Sequence, residues 1–226
     1  MFNIIARKTL LSYCLLYPKA AHALQEWYNE MILCEFKSFQ DLKAVYGNAS
    51  LVGDDRVVFN IMGNHYRLVV RMVFDYKVIQ IKWFGTHTEY DKIDVKTVKY
   101  QPKQNPDIME LKPIKNDVEY ELMMEWIDEQ FERKPALNTP EGDYLEVALL
   151  LVKAYEDVHF QIPIPDPIDA IKLKMEERGL KSKDLADWIG SKSYVSALLN
   201  RKKPLTLKLA KLFHERLGIP AQVLLN

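Results

Sequence analysis

Residues Gly179 to Leu205 read GLKSKDLADWIGSKSYVSALLNRKKPL, and this stretch constrains the fold more than any other. Leu185, Ala186, Trp188 and Ile189 give an apolar-patterned helix that Ser182 caps and Gly190 ends. Ser191, Lys192 and Ser193 read as a three-residue turn. A second helix begins at Ser193, with Val195, Leu198 and Leu199 inward, and runs into the basic sequence Arg201, Lys202, Lys203. Two short helices across a tight turn form a helix-turn-helix, which lays its second helix in the major groove of duplex DNA. Lys192, Ser193, Tyr194, Ser196, Asn200 and Arg201 are then left outside. Those early in the helix should meet base edges, and Arg201, Lys202 and Lys203 should meet phosphates. Flanking helices are expected over Pro167–Arg178, closed by Gly179, over Thr206–Leu217, stopped by Gly218, and over Pro220–Leu225.

A domain of that size leaves about 165 residues in front of it. The chain has 226 residues, 48% of them apolar, ample for packed cores and too many for a disordered chain. No apolar run reaches the roughly 20 residues of a membrane span, so no membrane partner is expected. The N-terminus lacks a small-residue cleavage pattern and reads as mature structure. Cys14 and Cys34 lie in apolar context without metal-ligand spacing; they read as buried free thiols, which suit a reducing cytoplasm. No metal or other cofactor is expected.

The zero net charge conceals three blocks. Residues 1–100 carry 13 Lys and Arg against 10 Asp and Glu, residues 101–166 carry 6 against 15, and residues 167–226 carry 12 against 6. Such blocks usually mark solvated faces. An acidic segment between two basic ones also suits a cover for one of two polyanion-binding modules.

In the first hundred residues, a helix that Pro18 could start places Ala20, Leu24, Trp27, Tyr28 and Met31 on one apolar face. Three strands are expected next, at 57–61, 66–74 and 78–84. Gly63 and Asn64 make the hairpin turn between the first two. A short last helix follows near 88–95. The predicted class is α+β, an antiparallel sheet with helices on one face, followed by an all-α half. Alternation in the second strand puts Arg67 and Arg71 on its less apolar face, where they could line a phosphate-binding surface. Lys82 comes from the third strand, on a face that alternation alone does not assign.

The segment Gly85-Thr-His-Thr-Glu-Tyr-Asp-Lys92 has two readings. In the plain one, Thr88 caps a helix with Asp91 three residues on. In the chemical one, His87, Tyr90, Asp91 and Lys92 gather proton donors, acceptors and a cation beside Arg67 and Arg71. Cleaving RNA without a metal needs groups that move the 2′-hydroxyl proton, protonate the leaving oxygen and neutralise the phosphorane. On pattern alone both stay open.

YRLVVRM followed by WFGTHTEYDKI resembles the HigB toxins, RelE-type mRNA interferases that act on the ribosome, and the similarity covers residues 1–98. It implies a RelE-like fold and a metal-independent endoribonuclease acting on mRNA in the ribosome. His87, Tyr90 and Asp91 fall where the family keeps active-site residues, and Arg67 and Arg71 on its RNA-facing sheet. His87 is the first choice for acid or base, with Lys82 and Lys92 as RNA-binding cations. At the other end, the five short helices resemble the Xre/Cro-type domain, and IGSKSYVSALLNRKKPLTLKLAKLFHERLGIPAQVLL resembles the HigA antitoxins. That implies operator DNA as a partner, repression of transcription, and a homodimer.

Lys99 to Asn116, with three prolines, reads as a linker, and Met109 inside it would suit the start of a separate polypeptide. The chain therefore divides into a toxin-like domain (1–98), a linker (99–116), an acidic helical segment (117–165) and the DNA-reading domain (166–226). Within the acidic segment, helices are expected over 117–134 and after Thr139-Pro140-Glu141, where Thr139 caps and Pro140 takes N1. The second is apolar almost all round from Val147 to Val152. Its plain reading is a core for its own domain; the alternative is a surface facing the toxin-like half or a second copy. The acidic segment would cover the basic toxin surface, within one chain or across a dimer. The rival reading is a transcriptional regulator whose first half is inactive and serves dimerisation or RNA binding.

Overall fold

The computed structural model describes residues 1–53, 55–95 and 111–225. The first half holds β1 (Asn3–Ile5), α1 (Arg7–Leu16), α2 (Ala21–Met31), α3 (Phe39–Val45), β2 (Ser50–Val52), β3 (Arg56–Ile61), β4 (Tyr66–Val73), β5 (Val78–Thr86) and α4 (His87–Tyr90). The sheet order is β1-β5-β4-β3-β2, antiparallel except where β1 runs parallel to β5. This α+β domain followed by a helical half is the expected class, and the three predicted strands are β3, β4 and β5. The short edge strands and α1 were not legible. Three-residue strands carry too little alternation to detect, and they form because β5 and β3 supply the hydrogen-bonding edge.

The helix expected to begin at Pro18 begins instead at Ala21; Pro18 lies in the turn where Ala20 N–H donates to Tyr17 O. Its apolar face was read correctly, since Ala20, Leu24, Trp27, Tyr28 and Met31 are all buried. Trp27 and Tyr46 meet Phe59 edge-on, and Tyr13 and Tyr17 meet Phe84, which puts α1 and α2 on the face made by Val57, Phe59, Leu68 and Phe84. The β3–β4 hairpin turns at Met62 and Gly63, both with positive φ, a conformation that glycine adopts without cost. Arg67 braces that turn with a 2.7 Å bond from Nη2 to Asn64 Oδ1.

The other sheet face carries Arg56, Val58, Asn60, Arg67, Val69, Arg71 and Gln80. Pairing slips between Val69 and Val70, so Val69 faces Trp83 and Val70 faces Ile81, leaving Lys82 as the bulge residue. A bulge breaks simple alternation, which is why the sequence did not show Lys82's face.

The helical half begins with α5 (Asp117–Arg133) and α6 (Pro140–His159). Thr139 caps α6 by accepting from Gly142 N–H, as its sequence requires. The expected linker lies outside the described residues up to 110, Met109 included. Tyr120, Met123, Met124, Ile127, Leu145, Ala148 and Val152 belong to the same buried cluster as Ile4, Ile5 and Val78. The plain reading of α6 as core for its own domain is therefore corrected, because the apolar faces of α5 and α6 complete the core of the first half. Nor is α6 buried all round, since Val147 is 43% exposed and Leu150 66%. Its first turn is pressed against the loop before it: a Cβ on Gly142 would lie 2.2 Å from Ala136 O. Gly142→Ala should therefore lower stability by about 1–3 kcal/mol despite alanine's better helix propensity, read as a fall in the denaturation midpoint.

The last five helices are α7 (Pro167–Glu177), α8 (Ser182–Ile189), α9 (Lys192–Leu199), α10 (Leu207–Leu217) and α11 (Ala221–Leu224), around a separate core of Ile171, Leu185, Val195, Leu198, Phe213 and Leu217. The helix-turn-helix is α8–α9, with boundaries one residue from those expected. Lys181, not Ser182, is the cap of α8, its N–H donating to Asp184 at 2.7 Å. Ser191 caps α9, so Lys192 is already helical and the turn is Gly190–Ser191. Gly179, Gly190 and Gly218 all take the left-handed conformation that closes a helix.

Candidate functional site

The outer sheet face divides into two clusters, and the predicted site residues fall in both. At one end, β3, β4 and β5 bring Arg56, Arg71 and Lys82 together under α5. Asp128 Oδ1 on α5 accepts from Lys82 Nζ at 2.6 Å and from Arg71 Nη1 at 3.0 Å. Glu132, one turn on, takes Arg71 Nη2 and lies 3.6 Å from Arg56 Nη2, while Asp55 Oδ2 is 2.9 Å from Arg71 Nε. The Arg71 and Lys82 side chains are 1% and 0% exposed. Burial lowers the Lys82 pKa to about 8, with Asp128 opposing the shift. Phe131 lies against the Arg71 guanidinium, 5.8 Å from its ring centre. In this arrangement a carboxylate sits where two cations converge, much as a phosphate would.

A second seam joins α5 and α6 to the N-terminus. Arg7 Nη1 meets Asp157 at 2.6 Å, Lys8 Nζ meets Glu121 at 2.9 Å and Asp117 at 3.0 Å, and Glu156 accepts from Arg7 N–H at 2.8 Å. Glu156 is fully buried, which pushes its pKa to about 7, and Tyr120 Oη donates to it at 2.6 Å.

The other cluster lies at the far end of β4 and β5, four residues or about 13 Å from Arg71 along the strand. Here His87, Tyr90 and Asp91 come together on α4 and its C-cap, with Lys92 exposed beyond them. His87 Nδ1 is 3.1 Å from Asp91 Oδ2, and the two side chains are 43% and 60% exposed. The expected cap is corrected: Thr86 caps α4 and Glu89 closes the box, its Oε2 accepting from Thr86 N–H at 2.7 Å. The cap and the His87–Asp91 pair therefore use different residues, and the two readings of this segment are compatible. Tyr90 packs on Trp83, with 6.2 Å between ring centres. Burial raises its pKa, and the nearby positive charge of Arg67 works against that rise. Arg67 itself is 8% exposed and spends its guanidinium on Asn64 and the Tyr66 carbonyl.

Four neighbours in these clusters were not read from the sequence. His65 is exposed and its carbonyl accepts from His87 N–H at 3.0 Å, so two histidines lie side by side. Arg56 pairs with Arg71 across β3 and β4, a register that the turn at Gly63 and Asn64 already implies. Asp128 and Glu132 sit at helical spacing on an acidic helix, but nothing in one sequence says what they face.

In the helix-turn-helix domain, α9 leaves Lys192, Ser193, Ser196 and Asn200 exposed and Tyr194 half-buried, its hydroxyl donating to Pro204 O at 3.3 Å. Lys202 and Lys203 are exposed. Arg201 is committed within the domain, its Nη2 2.6 Å from Asp169 Oδ1 and 3.0 Å from Asp166 Oδ1, carboxylates at the start of α7. Asp169 raises its pKa accordingly. Among the described residues no helix is long and apolar enough to cross a membrane.

Residues 20–93 match the family model of the HigB toxin, the RelE-like toxic component of a toxin–antitoxin system. The chain is also 32% identical, over 114 residues, to the antitoxins HigA of Escherichia coli K12, E. coli O6:H1 and Shigella flexneri. These alignments take in 47% of this chain and 78% of each antitoxin. With a toxin-like sheet and the first two helices of the antitoxin-like half sharing one core, the chain belongs to the HigA antitoxin family and carries a HigB-like toxin domain in the same polypeptide, a type II toxin–antitoxin pair in one molecule.

Proposed function

We propose that the first half is an mRNA endonuclease working on the ribosome, held inactive by α5, and that the second half represses transcription by binding operator DNA. The observation that carries this reading is the Asp128 carboxylate between Arg71 and Lys82, with Glu132 beside it. An RNA backbone on that face would need the same cations, so α5 competes with substrate for charge. His87 and Asp91 remain exposed, and inhibition then acts through substrate binding rather than through the acid–base groups. In the reaction the 2′-oxygen bonds to the adjacent phosphorus as the P–O5′ bond breaks. His87, oriented by Asp91, takes the 2′-hydroxyl proton and solvent water protonates the 5′-oxygen, while Arg67 and Tyr90 stabilise the developing charge and Lys92 holds a flanking phosphate. The cleavage needs no metal or cofactor in this scheme.

The test is expression from an inducible promoter. Residues 1–98 alone should arrest growth, and co-expression of residues 111–226 should relieve the arrest, as should the full chain. Harmless expression of a folded 1–98 segment would instead favour the rival reading, an inactive first half serving a regulator. The core shared across both halves supports that rival to the extent that α5 cannot leave easily.

For DNA, base contacts are assigned to Lys192, Ser193, Tyr194, Ser196 and Asn200, and phosphate contacts to Lys202 and Lys203. Such domains read two half-sites, so binding is expected as a homodimer. Lys203→Ala should weaken operator and random duplex alike and reduce the salt slope of log K by about 1 in a gel-shift titration. Arg201→Ala should chiefly lower the domain's stability, because its guanidinium is already taken by Asp166 and Asp169. An unchanged salt slope in Lys203→Ala would remove that lysine from the phosphate contacts.

A further inference from the structure

The toxin-like domain and the DNA-reading domain face each other across a cavity of about 810 Å³. One wall is α2 with the loop after α3 and the end of β3; the other is α7 with the C-terminal turn of α10. Lys174 reaches across from α7, its Nζ 2.7 Å from Glu30, 3.2 Å from Glu177 and 3.9 Å from Glu26. Three carboxylates thus share one ammonium. The other basic groups of the lining are engaged elsewhere: Arg178 donates to the carbonyls of Arg216 and Leu217, and His214 Nδ1 lies 2.8 Å from Ile219 O. Glu26 is the least satisfied of the three. It is 2% exposed, neither carboxylate oxygen accepts a hydrogen bond, and Lys174 stands beyond hydrogen-bond range of it. Burial pushes its pKa up to about 8 against the pull of Lys174. Trp27, Tyr46 and Phe59 form aromatic walls beside these carboxylates.

We propose that this cleft binds a linear diamine or polyamine, whose ammonium groups complete the charge of Glu26, Glu30 and Glu177. The Lys174 side chain shows the chemistry the site accepts: an ammonium on a four-carbon stem, held by these same carboxylates. A second alkylammonium fits the remaining negative charge, and its methylene chain fits the aromatic wall. A metal ion fits less well. Among the described residues no group of His, Cys, Asp and Glu has the spacing to hold one. Because the walls belong to both domains, an occupied cleft ties the DNA-reading domain to the toxin-like domain. The proposal rests on neither the nuclease nor the operator assignment.

The test is equilibrium dialysis of the full chain with labelled spermidine at constant ionic strength, with magnesium as the competing simple cation. One saturable site per chain is expected, little affected by magnesium at matched ionic strength. Glu26→Gln should weaken it at least tenfold, and Glu177→Gln likewise. Glu141→Gln, an exposed acid on α6, should bind as the parent does. Spermidine at a hundredfold excess over Kd should raise the unfolding temperature of the parent by about 5–10 °C. Glu26→Gln replaces a buried carboxyl that accepts no hydrogen bond with a neutral group of the same shape, so it should fold at least as well as the parent. A melt of that variant separates lost binding from lost structure. Non-saturable uptake, parent-like affinity in a folded Glu26→Gln, or full displacement by magnesium would each overturn the proposal.

Discussion

Replacing His87 with alanine is expected to reduce mRNA cleavage by the freed N-terminal segment about 10²–10⁴-fold, the usual contribution of a positioned proton-transfer group. The side chain is exposed and pairs with Asp91 at 3.1 Å, so the loss should come without loss of stability. On the proposed reading, Asp91 holds the ring through Nδ1 and Nε2 is the nitrogen that serves the substrate. Asp91→Ala should therefore cost less than His87→Ala, since it loosens the imidazole without deleting it. Primer extension on transcripts from cells expressing residues 1–98 reads both effects, and growth recovery reads the first. Undiminished cleavage in His87→Ala would take the histidine out of the chemistry. Tyr90, whose pKa burial raises, and His65, whose carbonyl accepts from His87 N–H, would then be the next residues to replace.

The second large effect concerns the seam between the halves. Asp128→Ala in the full chain is expected to cost about 3–5 kcal/mol, because it leaves Lys82 a buried cation and removes one of the three carboxylates around Arg71. For a chain of this size that is a fall in unfolding temperature of about 6–20 °C. The comparison that isolates electrostatics is the triple variant Arg71→Met, Lys82→Met, Asp128→Leu. Removing all three charges together should restore most of the lost stability, since a buried ion cluster seldom outperforms apolar packing. If Asp128→Ala unfolds no earlier than the parent, the cluster does not hold α5 on the sheet. The same single variant should also raise affinity for RNA, because it vacates the point where both cations converge.

How far the sequence carried this reading differs from element to element. The hairpin at Gly63 and Asn64, the cap at Thr139 with Pro140, and the stops at Gly179, Gly190 and Gly218 were legible, because each depends on the conformational preference of one or two residues. The apolar face of α2 was legible because a 3.6-residue period over eleven residues is hard to mistake. Two short edge strands escaped, and so did the cap of α4, because neighbouring threonines at 86 and 88 offer nearly the same local chemistry. The grouping of candidate site residues was only half visible. His87, Tyr90 and Asp91 are close in sequence and stay close in space, whereas Arg67 and Arg71 share a strand face yet serve different clusters about 13 Å apart.

Local rules therefore determined the type of most elements, the helix-turn-helix and the acidic character of the segment between the domains. Only the tertiary structure decided what that segment does: Asp128 meets Arg71 and Lys82, and the apolar faces of α5 and α6 finish the core of the first half. Such contacts join residues 46 and 57 positions apart, and no periodicity or propensity encodes them. They are selected by the whole fold, because buried cations on the sheet require carboxylates from whichever element covers it.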